Sequence, residues 1–232
     1  MKVKMSPGGH FITRCIRMLL HLLCRISFEN PEVLPEEGPV ILAVNHINFL
    51  DVPLVYTHLY PRQTSSLVKT ETWDNFFLGK LADLWNGIPI DRNTTDFNAL
   101  RSAEERLRKR HILMIAPEGT RSRDGKLQRG NPGVVMLALR HNIPVYPFIH
   151  FGEELFLHNL KRLKRTDVTL RTGRPFILRT PDGRVNREIR QKMVDEMMEY
   201  FTSLLPAKYH GYYTGLRNGE YSYLNFLDTV DG

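Results

Sequence analysis

The chain has 232 residues, 42% of them hydrophobic and 25% charged, enough to bury one substantial core and short for two ordinary domains. A balance of 32 Lys and Arg against 25 Asp and Glu gives a net charge of +7, which suits an anionic partner. No nucleic-acid-binding pattern of aromatic and glycine residues accompanies that charge, so no nucleic acid is expected; a phospholipid surface or a phosphorylated substrate remains.

Residues 11–26 read as an amphipathic helix. Arg14, Arg17, His21 and Arg25 recur every three or four positions, and Phe11, Ile12, Ile16, Met18, Leu19, Leu20, Leu22, Leu23 and Ile26 cover the rest. A spanning helix needs about 20 nearly uncharged residues, and three arginines interrupt this one. No small-residue cleavage site follows, which argues against a signal peptide. The pattern predicts a basic helix lying in the headgroup plane of a membrane. The alternative is a helix that packs its apolar face on the domain. The two cysteines, Cys15 and Cys24, fall nine residues apart on it, beyond disulfide reach, and a reduced, cytoplasmic setting is expected.

Phe28 to Gly38, with prolines at 31 and 35, reads as a linker. The unbroken apolar run Val40-Ile41-Leu42-Ala43-Val44 reads as a buried strand, and it ends in Asn45-His46-Ile47-Asn48-Phe49-Leu50-Asp51. On a regular helix, residues five apart lie roughly 140° from one another, so the backbone must turn sharply for Asp51 to reach His46. An Asp in that place holds one imidazole nitrogen as a donor and leaves the other to accept a proton. The plainer alternative is a core histidine beside a helix-capping Asp.

A helix follows over Val52–His58, then a short strand over Ser65–Lys69 with Lys69 at its exit. Residues 72–85 form an apolar helix whose Trp73, Phe76, Phe77, Leu81 and Trp85 are expected in the core. A strand over Gly87–Asp91 leads to Arg92. A helix from about Thr95 then aligns Phe97, Leu100, Ala103 and Leu107 and ends in basic residues that the helix dipole favours. Ile112–Ala116 is a further buried strand that runs into Pro117-Glu118-Gly119, followed by a helix over 132–140 and a strand over Val145–Phe151. Lys161–Arg165 is a basic loop, either a solvated surface or a lipid contact. Two more strands cover Asp167–Thr172 and Pro175–Leu178. A final helix from Asn186 stacks Ile189, Met193, Met197 and Phe201 as core.

Strands alternating with helices predict an α/β fold, a single domain with a mixed sheet flanked by helices. The expected organisation is a membrane-associating helix over 1–27, the α/β domain over 28–206 and a tyrosine-rich tail over 207–232.

Four stretches recur in a telling order: the His-x4-Asp segment, Gly87-Ile88-Pro89-Ile90-Asp91-Arg92, Pro117-Glu118-Gly119-Thr120-Arg121-Ser122 and Ile143-Pro144-Val145-Tyr146-Pro147-Phe148. Together they resemble the four-block signature of the glycerolipid acyltransferases, most closely the 1-acylglycerol-3-phosphate acyltransferases, over about 28–213. The resemblance implies that His46 removes the proton of an acceptor hydroxyl and that Asp51 orients and stabilises the imidazolium. It implies that Glu118-Gly119-Thr120-Arg121 binds the acceptor, with Arg92 beside it. Arginine forks suit a phosphate. Arg121 is the first candidate, with Gly119 letting backbone approach closely, and Lys69 is a third cation; Arg92 pairing with Asp91 is the alternative for that residue. Glu118 either holds an arginine or bonds a glycerol hydroxyl.

No Ser or Cys nucleophile is evident, and neither metal nor cofactor is expected. The implied reaction is acylation of lysophosphatidic acid by acyl-CoA or acyl-carrier protein at the cytoplasmic face of a membrane with anionic lipid. Acylation of another lysophospholipid or a glycolipid is the second reading, and a non-catalytic lipid-surface protein the third. Two departures from the family pattern stand out: Asn131 in place of a common lysine, with Arg129 two residues earlier, and Asn48 in place of a common serine.

Overall fold

The computed structural model describes the chain apart from residues 1, 2, 4, 92–95, 181, 182, 215–219 and 229–232. Arg92 therefore lies outside the described residues. Strands β2 (Val40–Val44) and β5 (Ile112–Ile115) are apolar and buried at every position, the mark of strands covered on both faces. β2 pairs in parallel with β5 on one side and with β6 (Val145–Phe151) on the other. Beyond β5 lie β3 (Thr64–Lys69) and β4 (Gly87–Ile90), also parallel. On the far side, β6 pairs antiparallel with β7 (Thr166–Thr172), and β7 pairs in parallel with β1 (Cys24–Glu29). The order is β1-β7-β6-β2-β5-β3-β4, with β8 (Phe176–Leu178) paired to β6 and β9 (Leu224–Phe226) to β8, both antiparallel. The expected mixed sheet in a single α/β body is what forms.

The two-residue period of β2 divides the core. Ile41 and Ala43 pack with helices α4 (Phe97–Arg108), α5 (Gly133–His141) and α7 (Arg187–Leu204). Val40, Leu42 and Val44 pack on the other face with α1 (Pro7–Leu23) and α2 (Asp51–Leu59). Met193, Met197 and Phe201 of α7 are fully buried, as their spacing predicts.

Two expectations need correction. The N-terminal helix stops at Leu23, and residues 24–29 are the edge strand β1. From Cys24 onward, burial alternates between successive residues, so the two-residue period takes over before the helical stripe runs out. Arg25 thus leaves the helix and meets Asp167 at 3.4 Å. Second, Phe76 and Phe77 are 70% and 80% exposed rather than core. They open α3 (Phe76–Leu84), whose first turn is capped by Asn75 at the molecular surface; inward packing begins at Gly79 and Ala82. Trp85 is buried, with its indole N–H donating to Thr13 Oγ1 of α1. The described part of the tail packs on the body: β9 extends the sheet, and the buried Glu196 carboxylate accepts the backbone N–H groups of Ser222, Tyr223 and Leu224. Among the described residues no helix is long and apolar enough to cross a membrane.

Candidate active site

Because β6, β2, β5, β3 and β4 run parallel, their carboxyl ends share one edge of the sheet. His46 follows β2, Glu118 follows β5, and Lys69 ends β3. Adjacent strands are about 4.8 Å apart, so topology alone ranks these residues outward from the histidine.

The turn that the His-x4-Asp spacing demands is made by hydrogen bonds to Asp51. Its Oδ2 accepts from Ile47 N–H at 2.7 Å and lies 2.6 Å from His46 Nδ1, while Oδ1 accepts from Asn48 N–H at 2.8 Å. Asn48 locks the same turn, its Oδ1 accepting from Leu50 N–H and its amide donating to the Glu153 carbonyl. Replacing the common serine therefore leaves the loop tied to β6's exit. Burial opposes ionisation of Asp51. The positive charge of His150, with the bonds from His46 and the backbone, outweighs it and holds the carboxyl below its usual range. An ionised Asp51 makes His46 Nδ1 the donor and leaves Nε2 as the acceptor.

Glu118 has two backbone partners. Its Oε1 accepts the backbone N–H of His46 at 2.7 Å, and its Oε2 that of Gln128 at 2.8 Å. It is buried and thus stitches the histidine turn to the loop after β5. The two loops are paired again through Ser122 N–H to the His46 carbonyl and Arg123 N–H to that of Ile47. Gly119 adopts φ +71, a left-handed turn that a side chain disfavours, and Asn131 donates to the Glu118 carbonyl beneath it. Asn131 thus takes a structural place where a lysine was expected to offer charge. Thr120 is exposed, and its carbonyl accepts from the Gln128 amide. Arg121 is exposed immediately before Ser122, and Lys69 is exposed at its strand end.

Sequence reasoning missed a second buried pair behind the first. His150, inside β6, bonds through Nδ1 to Glu153 Oε1, and both side chains are fully buried. Burial opposes protonation of His150, but the charges of Glu153 and Asp51 outweigh it and push its pKa up to about 9. An imidazolium there balances the Asp51 carboxylate. Asn45 clamps the strands at the same level, donating to the His150 carbonyl at 2.8 Å and accepting its N–H at 2.9 Å. The one signal in the sequence was a histidine within an otherwise apolar strand.

His46 and Asp51 lie at a cavity of about 300 Å³. Val44, Leu67, Ile90, Leu100, Met114, Val134 and Leu137 make its walls apolar, and Gly119 and Asn131 line it too. Neither Lys69 nor Arg121 lines it. The arrangement sets the His46–Asp51 pair against an apolar cavity, with Lys69 and Arg121 outside its lining.

A family model described as Acyltransferase matches residues 25–150. The 1-acyl-sn-glycerol-3-phosphate acyltransferase of Bacillus subtilis (strain 168) is 26% identical over 148 residues, 63% of this chain and 74% of that protein. Its counterpart from Cocos nucifera is 31% identical over 167 residues, 69% of this chain; the chain spans about half (53%) of that relative's length. The crystal structure of a 1-acyl-sn-glycerophosphate acyltransferase, PlsC, from Thermotoga maritima has the same fold. Its TM-score is 0.63 at 24% identity, covering 84% of this chain and 78% of that one.

Proposed function

This chain belongs to the acyltransferase family, and from that premise we propose that it acylates the free hydroxyl of lysophosphatidic acid, giving phosphatidic acid, with acyl-CoA or acyl-carrier protein as donor. The observation that carries this reading is the Asp51-held His46 at the mouth of an apolar cavity. The fatty chain of the thioester fills the cavity and brings its carbonyl to His46. Nε2 takes the proton of the acceptor hydroxyl as that oxygen attacks the carbonyl carbon. The tetrahedral intermediate collapses with cleavage of the C–S bond, and the imidazolium returns the proton to the leaving thiolate. Asp51 keeps the imidazole in the correct tautomer and stabilises its charged form. The acceptor phosphate is held by Arg121, with Lys69 at the end of β3 and Arg92 as the further cations. The acceptor for which the relatives are named, 1-acyl-sn-glycerol-3-phosphate, supports a phosphomonoester.

The enzyme works at the cytoplasmic face of a membrane. α1 supports the lipid-surface part of this reading with three stripes: Gly9, Thr13 and Leu20 turn inward, Arg14, Arg17 and His21 form a polar stripe, and Phe11, Ile12, Met18, Leu19 and Leu22 are exposed. An outward apolar stripe beside a basic one suits the headgroup layer. It is also the opposite of what a helix packing its whole apolar face on the domain presents.

Incubation with labelled acyl-CoA or acyl-carrier protein and a panel of acceptors tests the reading. Fastest turnover with lysophosphatidic acid is expected; preference for a glycolipid or a phosphodiester would replace the acceptor, and no turnover of any would remove the activity. Arg121→Ala is expected to raise the KM for lysophosphatidic acid by the equivalent of roughly 1.5–3 kcal/mol, the value of a charge-assisted bond. An uncharged monoacylglycerol should be unaffected. Equal weakening of both acceptors would make Arg121 structural.

A further inference from the structure

Between β6 and β7 the chain makes an excursion through the short helix α6 (Phe156–Leu160) and a turn. Leu155, Leu157, Leu160 and Leu163 are all exposed on it, interleaved with exposed Lys161, Arg162 and Lys164. Leu163 is the extreme case: 94% exposed, with φ +53. A left-handed backbone costs a leucine steric energy that Asn or Gly largely avoids. Every other described non-glycine residue with positive φ is Asn or Arg. Nothing in the fold repays that cost through packing of the leucine side chain.

The turn is nonetheless well tied. Leu163 N–H donates to the Leu160 carbonyl and Lys164 N–H to that of Asn159, and the Asn159 amide donates to Thr166 Oγ1. At its end, the Arg165 guanidinium donates to the carbonyls of His21 and Cys24, both at 2.6 Å, fastening the excursion to the end of α1. At its start, Phe156 turns inward and meets Phe49 edge-on at 6.0 Å between centroids, three residues after His46. One segment thus joins the end of α1 to the turn that carries His46.

We propose that residues 155–164 form a second lipid-contacting element. The leucines enter the boundary between headgroups and acyl chains of an anionic bilayer, while Lys161, Arg162 and Lys164 reach the headgroup phosphates. The choice of a bilayer over a protein groove follows from charge complementarity and pattern. Apolar and cationic side chains alternate around one projecting turn, and a headgroup layer takes both, because long cations snorkel upward as leucines go down. A protein groove would instead select a single apolar stripe. The inference rests on the reading of the chain as an enzyme of a lipid substrate and not on which acceptor it acylates.

The test uses the full chain carrying Leu163→Cys with Cys15→Ser, Cys24 being buried, labelled with a polarity-sensitive fluorophore. Vesicles of phosphatidylcholine with and without phosphatidylglycerol are then added. The expected result is a blue-shifted emission, shielded from an aqueous quencher, with the phosphatidylglycerol vesicles. Replacing Leu157, Leu160 and Leu163 by Ser should weaken vesicle sedimentation by about 10-fold per leucine, with an unchanged melting profile. Turnover of a dispersed short-chain lysophosphatidate should be unaffected. Unchanged emission while the protein still sediments would overturn the proposal, and protection of the label only by a carrier protein would assign the surface to a protein instead. Loss of sedimentation with turnover retained in the parent chain would remove the membrane element and leave the enzymatic reading standing; absence of turnover with the blue shift intact would do the reverse.

Discussion

The Asp51 carboxylate is bonded by His46, Ile47 and Asn48, all within five residues of it, which is why the His46–Asp51 partnership could be read from spacing. His46→Ala is expected to abolish acyl transfer with an unchanged melting profile, and Asp51→Asn to lower kcat by roughly 10³–10⁴-fold through the wrong tautomer. Single-turnover assays with thermal melts check both, and near-native rates in a folded His46→Ala variant would end the mechanism. Glu118 yields a prediction that its sequence block did not suggest. Burial pushes its pKa from 4.5 up to about 7, against the backbone N–H groups that favour its charge. The folded state therefore holds this proton more tightly than the unfolded chain. Its contribution to stability is complete below pH 4.5 and lost as pH rises through about 7. The loss is on the order of 3 kcal/mol at 1.36 kcal/mol per pKa unit. Glu118→Gln is expected to flatten that slope in melts recorded across the range, while lowering stability at acid pH, because its amide nitrogen opposes the Gln128 N–H. Here the sequence identified the residue but not its partners. Two backbone amides, one of them 72 positions away, leave no trace in a local pattern. His150 and Glu153 were hidden for a related reason, since only the fold brings them behind Asp51.

At the scale of elements, apolar periodicity located the parallel strands and the buried stripe of α7, because each is decided by a core that covers it on every side. It failed at edges. β1 was absorbed into the preceding helix since Ile26 fits either period, and Phe76 and Phe77 look like core residues but open a helix at the surface. The tail was read only as tyrosine-rich, and its contacts explain that composition. Tyr213 Oη accepts Gly130 N–H at 2.9 Å and donates to Asp195 at 2.8 Å, and Tyr209 Oη donates to Glu154. Leu127 exchanges backbone hydrogen bonds with Tyr209 and Tyr212. Gly211, at φ +57, comes so close that a Cβ there would sit 2.2 Å from the Leu127 carbonyl oxygen. These residues brace the far side of the loop that starts at Glu118. Tyr213→Phe strands the buried Gly130 N–H and is expected to cost about 1–3 kcal/mol, read as a lower melting temperature together with a raised KM for the acceptor. A lower melting temperature with unchanged KM would confine the tail to stability.

For the whole molecule, the parallel strands gather the reactive groups at one edge, and α1 presents its apolar stripe outward. Arg14→Glu with Arg17→Glu removes two attractions of about 1 kcal/mol each toward anionic lipid and adds repulsion, so vesicle affinity should fall at least about 30-fold. Arg25, paired with Asp167 on β1, should matter less. Sedimentation with and without anionic lipid measures both; an effect of Arg25→Glu equal to that of the double variant would contradict the division. The tail also sets an order of events during translation. Residues 209–213 brace the loop after Glu118 and are synthesised well after that loop itself. That loop thus stays without its brace until synthesis has passed Tyr213, so the segment after Glu118 is among the last parts of the sheet's edge to settle during cotranslational folding.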